Sequence, residues 1–249
     1  MYIAAMAAKK SVQKNKSFLQ RVFRFLKRLF ILLFIAQLVY IVLLKWINPP
    51  ITITQLVSFI KGDGLKRNYV SIENMSANAR LSVIASEDQL FPDHSGLDWK
   101  SIEKAMAYNK RKPDRYRGAS TLSQQTAKNV FLWQGRSWIR KGMEVYFTKM
   151  IEWIWGKKRI LEVYLNVIEM GKGIYGMEAA AQQYFQKPAS KLTRTEAAQI
   201  AACLPNPKKY QVKPLSRYVS IRSGWVVRQM NNLDSDPDIQ KIIVDKEKK

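Results

Sequence analysis

From Leu29 to Leu44 the chain runs without a charged residue, as Leu-Phe-Ile-Leu-Leu-Phe-Ile-Ala-Gln-Leu-Val-Tyr-Ile-Val-Leu-Leu. Extended to Ile47, with Lys45 able to snorkel and Trp46 suited to an interface, the run is about 19 residues long. At roughly 1.5 Å per residue that spans a hydrocarbon core of about 30 Å. A cleaved signal peptide is the competing reading. The run is long for one, however, and Asn48-Pro49-Pro50 follows it in place of a small-x-small cleavage site. The first 28 residues hold eight Lys or Arg and no acid. The positive-inside rule therefore puts this end in the cytoplasm and everything after Pro49 outside.

Charge narrows the partners. The chain carries +23, and nine of its 42 Lys and Arg but none of its 19 acids precede Asn48, which leaves +14 on the exported part. Nucleic acid is the usual partner of so basic a domain, but an exported domain does not meet it. Anionic membrane lipids and pyrophosphate-bearing substrates fit better. With Cys203 as the single cysteine, no internal disulfide can form, so the exported domain relies on its core.

The expected organisation is a basic cytoplasmic tail over 1–28, a transmembrane helix over 29–47, an extracytoplasmic domain over 48–233, and a charged, frayed tail over 234–249. Ile51 to Ile60 stays apolar and fits a short membrane-adjacent segment. Helices are expected over Ala77–Ser86 with Ser76 as N-cap, Trp99–Asn109, Ser120–Phe131, Ser137–Trp155, Lys158–Met170, Gly176–Phe185 and Thr193–Leu204. In the fifth of these, Ile160, Tyr164, Val167 and Ile168 form one buried stripe and Gly171 is the stop signal. Alternating strand patterns are scarce, so the fold class is mostly α.

Arg117 to Asn129 reads Arg-Gly-Ala-Ser-Thr-Leu-Ser-Gln-Gln-Thr-Ala-Lys-Asn. Ser120, Gln124 and Lys128 recur at four-residue intervals, so one helical face would present a hydroxyl, an amide and a cation to an oxygen-rich ligand. Thr121 and Gln124 also make the S/T-x-x-Q capping pattern, which explains those two but not Arg117, Gln125 and Lys128 beside them. Upstream, Glu87 to Gly96 has the form E-D-x-x-F-x-x-H-x-G. Downstream come R-K-x-x-E at Arg140, Lys141 and Glu144, and K-x-x-I-x-E-x-Y-L-N from Lys158 to Asn166. Four patterns in this order resemble the family 51 glycosyltransferases, which polymerise bacterial peptidoglycan, over about residues 65–230.

The resemblance implies a lysozyme-like fold with a second, membrane-dipping lobe, held at the cytoplasmic (inner) membrane by a single helix. It implies lipid II and the growing glycan strand as substrates, both on undecaprenyl pyrophosphate, with other cell-wall synthesis proteins as candidate partners. Polymerisation needs a base for an acceptor hydroxyl and cations for a departing diphosphate. Glu87 ends an apolar helix, where burial would raise its pKa, and the resemblance makes it the base that activates the acceptor 4-hydroxyl. Glu144 reads on its own as an exposed ion-pair cluster with Arg140 and Lys141; the resemblance puts it at the donor side. Lys128, Arg136 and Arg140, with Lys141, are the diphosphate candidates, and Arg117, Ser120, Thr121, Gln124 and Gln125 the sugar and backbone ones. Phe91 and the sole histidine, His94, are expected to fix the Glu87 loop, Asp88 to orient neighbours, and Glu162 and Asn166 to brace the cleft from behind. There is no Mg²⁺ cage in the pattern, although a diphosphate could bring its own ion. A lytic transglycosylase or lysozyme-type hydrolase would share the fold and the Glu but has no need of cations at a leaving group. A non-catalytic scaffold would tolerate loss of Glu87. Ser101-x-x-Lys104 matches a transpeptidase signature but lacks its K-T-G partner, and Cys203 reads as a buried small hydrophobe.

Overall fold

The structure is a computed structural model that describes residues 2–114, 117–135 and 137–244. It divides into two compact units, Met1–Trp46 and Ile47–Lys249. The first is one helix, α1 (Tyr2–Leu43), whose Phe18–Leu43 stretch has a mean hydropathy of 2.2 and is long and apolar enough to cross a membrane. Its limits differ from the expected 29–47. Lys and Arg are good helix formers, so the basic tail continues the helix rather than preceding it. At the other end the chain turns through Lys45 and Trp46, whose N–H groups bond Val42 and Leu43 carbonyls at 3.1 Å, ahead of Pro49 and Pro50.

The second unit is mostly α, as expected. Its elements in order are α2 (Ile53–Ile60), β1 (Lys66–Arg67), α3 (Ala77–Glu87), α4 (Trp99–Arg111), α5 (Leu122–Phe131), α6 (Trp138–Ile154), α7 (Lys157–Val167), β2 (Glu169–Gly171), β3 (Ile174–Tyr175), α8 (Met177–Phe185), α9 (Arg194–Cys203), α10 (Arg217–Leu233) and α11 (Pro237–Ile243). Except at α7 and α8, which begin after Gly156 and Gly176, the helix starts follow from side-chain caps that satisfy free helix N–H groups. Ser76 caps α3 through Ala79 N–H, while Thr52, Thr121 and Thr193 each form a full capping box with Gln55, Gln124 and Glu196. The apolar stretch Ile51–Ile60 thus becomes α2, with Ile53, Leu56, Val57, Phe59 and Ile60 left exposed.

Two helix groups carry the core. α9 packs against α3 and α10, and α5 against α6 and α7. The α9 contacts are close because Ala197, Ala198, Ala201 and Ala202 are fully buried and offer only methyl groups. α7 is buried nearly all round, through Ile160, Leu161, Val163, Tyr164, Leu165 and Val167, rather than along one stripe. At about 1.5–3 kcal/mol for each large apolar side chain, α7 is the central strut of its group.

Two expectations are corrected. α7 stops at Val167 instead of Met170, because Glu169–Gly171 pairs antiparallel with β3, itself parallel to β1, in a small sheet of order β1-β3-β2. The crossing of Asp63 over Gly173 is only possible without a side chain: a Cβ there would lie 2.2 Å from the Asp63 carbonyl oxygen. The segment after Asp234 is not frayed as far as Ile243. Asp236 caps α11, Ile239, Ile242 and Ile243 are buried, and Arg80, itself buried, donates to the Ile243 carbonyl at 2.5 Å and to that of Met75 at 2.8 Å. A charged composition hid three isoleucines at helical spacing.

Candidate active site

α3 ends at Glu87 because Asp88 leaves helical geometry, at φ −161° and ψ 79°. The two acids on either side of that break have different partners. Both line a cleft of about 850 Å³, but Asp88 is only 8 % exposed and its carboxylate is committed to internal hydrogen bonds. Asp88 Oδ2 accepts the first N–H of α5, from Leu122, at 2.8 Å, and pairs with His94 Nε2 at 3.0 Å. Gly96 N–H donates to His94 Nδ1 at 3.1 Å. Nδ1 is therefore the acceptor and Nε2 carries the proton that goes to Asp88. Gly96 has φ +89°, and a Cβ there would lie 2.7 Å from the Thr148 methyl. Phe91 is fully buried edge-on to His94. Asp88, Phe91, His94 and Gly96 thus lock the end of α3 to the start of α5.

The Glu87 carboxylate meets neutral donors. Gln125 Nε2 donates to Oε2 at 2.9 Å and Ser86 Oγ to Oε1 at 3.3 Å. Gln125 is fixed in turn by the buried Tyr164 hydroxyl, which donates to its Oε1 at 3.1 Å. Desolvation pushes the Glu87 pKa above its usual 4.5, helped by the Asp88 charge, while the Gln125 and Ser86 hydrogen bonds and the Arg222 guanidinium pull it down. The result is a carboxyl with raised basicity at the wall of an open cleft.

Ser120, Thr121, Gln125 and Arg117 line that cleft. Arg117 stacks over Tyr108, 4.2 Å from the ring centroid, and its backbone N–H donates to Asn109 Oδ1 at 2.8 Å. Gln124 is not brought to the cleft. It is 2 % exposed and spent on the cap, accepting the Thr121 N–H at 3.1 Å. Thr121 is also committed, since its hydroxyl accepts Gln124 N–H and donates to the Gly96 carbonyl at 2.7 Å. The single face of Ser120, Gln124 and Lys128 does not form, because the helix begins at Leu122 and Ser120 precedes its cap.

Gln125 and Pro205 also line a second cavity of about 420 Å³, with Lys128, Asn129, Glu169 and Lys208 around it and Thr54, Val57 and Lys61 contributed by the α2 side. Behind Lys128, Glu144 is buried and takes two cations: Arg140 Nη1 on Oε2 at 2.7 Å and Lys141 Nζ on Oε1 at 2.5 Å. Burial depresses the Lys128 pKa, Glu144 opposes this, and the Arg140 and Lys141 charges reinforce it. Two adjoining cations make that neighbourhood receptive to an anion. They also occupy both Glu144 oxygens, so the donor set does not fit a resident divalent ion. Among the described residues no group of three metal-ligating side chains converges. Arg136 lies outside the described residues.

Glu162 and Asn166 sit away from both cavities. Glu162 accepts the Ile72 N–H at 3.2 Å and pairs with Arg159 at 2.8 Å, while Asn166 exchanges two bonds with the Val70 backbone, at 3.0 and 2.9 Å. They pin the chain entering α3. Ser101 and Lys104 line the Glu87 cleft, and Cys203 is fully buried with its thiol pushed up to about 12. Arg222 had no signal in the sequence: it lies on an ordinary amphipathic helix, 136 residues beyond the Ser86 it touches.

The family described as Transglycosylase matches residues 54–231. The chain is 58% identical over 174 residues to proteins named "Biosynthetic peptidoglycan transglycosylase" from Escherichia coli and from Shigella boydii serotype 4, covering 70% of this chain and 72% of each relative.

Proposed function

The chain belongs to the transglycosylase family, and from that premise we propose how its residues divide the work of a peptidoglycan glycosyltransferase. The enzyme polymerises lipid II into glycan strands. Glu87 takes the proton of the acceptor hydroxyl as that oxygen bonds the anomeric carbon of the donor. The bond from that carbon to the pyrophosphate breaks, inverting the centre, and undecaprenyl pyrophosphate leaves with the electron pair. Lys128, with Arg140 and Lys141 behind it and Arg136 as a further ligand, meets the charge that develops there. Each charge-assisted contact is worth about 1.5–3 kcal/mol. Glu144 keeps the clustered cations from repelling one another. Ser120, Gln125 and Arg117 hold sugar and phosphate oxygens, whereas Thr121 and Gln124 act through the cap.

The observation that carries this reading is the Glu87 carboxyl, raised in pKa yet open to a cleft, with the cationic cavity adjoining it across Gln125. A hydrolase would share the acid but would have no use for the cations. α1 fits a single-pass membrane anchor. Its basic end lies in the cytoplasm and the catalytic unit outside, at the inner membrane, where the apolar face of α2 meets the lipid that carries the substrate. The test is purified full-length protein with lipid II, resolving glycan length and scoring released undecaprenyl pyrophosphate. Polymer with stoichiometric release is expected; cleavage of preformed strands without release would replace this reading with hydrolysis.

A further inference from the structure

Arg222 on α10 lines the same cleft as Glu87. Two contacts fix it: Nη2 donates to the Ser86 carbonyl at 3.4 Å, and the guanidinium lies 3.7 Å from the centroid of the Trp225 ring. Its Nε is buried without a hydrogen-bond partner. A guanidinium has five donors, and leaving one of them buried without a partner is unfavourable. What the arrangement holds in place is a positive charge beside the helix end that carries Glu87. We propose that Arg222 is a positioning residue for glycosyl transfer, a fixed counter-charge held beside the helix end that carries Glu87, which keeps that carboxylate ready to accept a proton.

The physical need is plain. A base walled in by α3, α5, α7 and α10 gains basicity from desolvation but risks being protonated already when the acceptor arrives. Hydrogen bonds from Gln125 and Ser86 offset part of that penalty, and Arg222 is the strongest cationic influence on the carboxyl. The other titratable groups facing Glu87 are Asp88, tied to His94, and Tyr164, Cys203 and Tyr218 from α7, α9 and α10. Burial pushes Tyr164 and Cys203 far above neutrality, Cys203 to about 12, and Tyr218 is raised too, so these three stay neutral during turnover. The Asp88–His94 pair is common to every variant below and cancels in the comparison.

The inference rests on Glu87 being the base. Its test is the pH profile of kcat/KM for lipid II polymerisation by the full-length protein, in wild type, Arg222→Met, Arg222→Lys and Glu87→Gln. Losing the cation raises the Glu87 pKa, so the acid limb of Arg222→Met should move up by about 1 pH unit. Its activity should fall about tenfold on the acid side and recover to within about threefold of wild type well above the limb. Arg222→Lys should place the limb between the two, since it keeps the charge without the fork or the stacking. Should Arg222→Met melt clearly lower than wild type, Trp225→Ala carries the comparison, because it keeps the cation and removes only its support. A limb that does not move, or an equal loss at every pH, overturns the proposal and leaves Arg222 a substrate or packing contact. Polymerisation by Glu87→Gln would sink the base assignment and this inference together; an inactive Glu87→Gln beside an unmoved limb would sink the inference alone.

Discussion

Glu87 and Glu144 are the same side chain in opposite surroundings. Glu144 is buried between two cations at 2.7 and 2.5 Å, so its charge is matched and its oxygens are spent. Glu87 meets an amide and a hydroxyl, with its one strong cationic neighbour set back on α10. A carboxylate with direct ion pairs is a poor proton acceptor, because protonation would strand the partner charges. A carboxylate held by neutral donors and desolvation is a good one. Two motifs each supply an acid, and packing gives the two opposite surroundings: one suited to the base of the proposed mechanism, the other bound in ion pairs.

The sharpest way to break that comparison is to make both acids into amides. Glu87→Gln should lower polymerisation at least ~100-fold, in line with the ~10²–10⁴-fold contribution of a general base, yet leave melting unchanged or raised. The sign follows from the raised pKa. Between the ordinary carboxylate value of 4.5 and the raised one, the folded protein holds a proton that the unfolded chain has released. Glu87 therefore contributes stability below that window and loses it as pH rises through it. Glutamine does not titrate, so the mutant's advantage in melting temperature should grow from about pH 5 to 7, as scanning calorimetry at both values would register. A mutant that melted lower at neutral pH would make Glu87 structural.

Glu144→Gln should do the reverse. It leaves Arg140, itself only 9 % exposed, without its counter-ion, and stripping one partner from a buried pair costs about 3–5 kcal/mol. Because Lys141 is half exposed and can reach water, the lower figure applies, about 6–12 °C in melting temperature for a domain of this size. Unchanged melting would show that the cluster is solvent-screened and that Glu144 is free to act on substrate.

The smallest effect expected is at Thr121. Thr121→Val keeps the shape and removes the hydroxyl that caps α5 and bonds Gly96, so about 1 kcal/mol of stability should go. Turnover by the folded fraction should stay within about threefold of wild type, since the rate term of a capping residue is indirect. A large loss of kcat with normal melting would return Thr121 to the substrate site.

Whatever is decided within a few residues along the chain is legible from its residues alone. A charge-free apolar run of this length forms a helix long and apolar enough to cross a membrane, and the N-caps at Ser76 and Thr121 act on N–H groups three positions away. Ordered motifs were enough to single out Glu87, Glu144 and Lys128. The tertiary structure alone decided what those groups meet. Tyr164 reaches Glu87 through Gln125, Asp88 joins α3 to α5, and Arg222 arrives from the last long helix. Capping a helix with Thr121 and Gln124 and lining a cleft with them look identical in sequence; only packing shows that the amide of Gln124 is spent inside. The order of the C-terminal segment is hidden in the sequence for the same reason. Its charges are local and visible, while the buried Arg80 that donates to the carbonyl at its end lies 163 residues earlier. Local chemistry sets the elements, but pKa, exposure and partnership are properties of a surrounding that exists only once distant elements have packed.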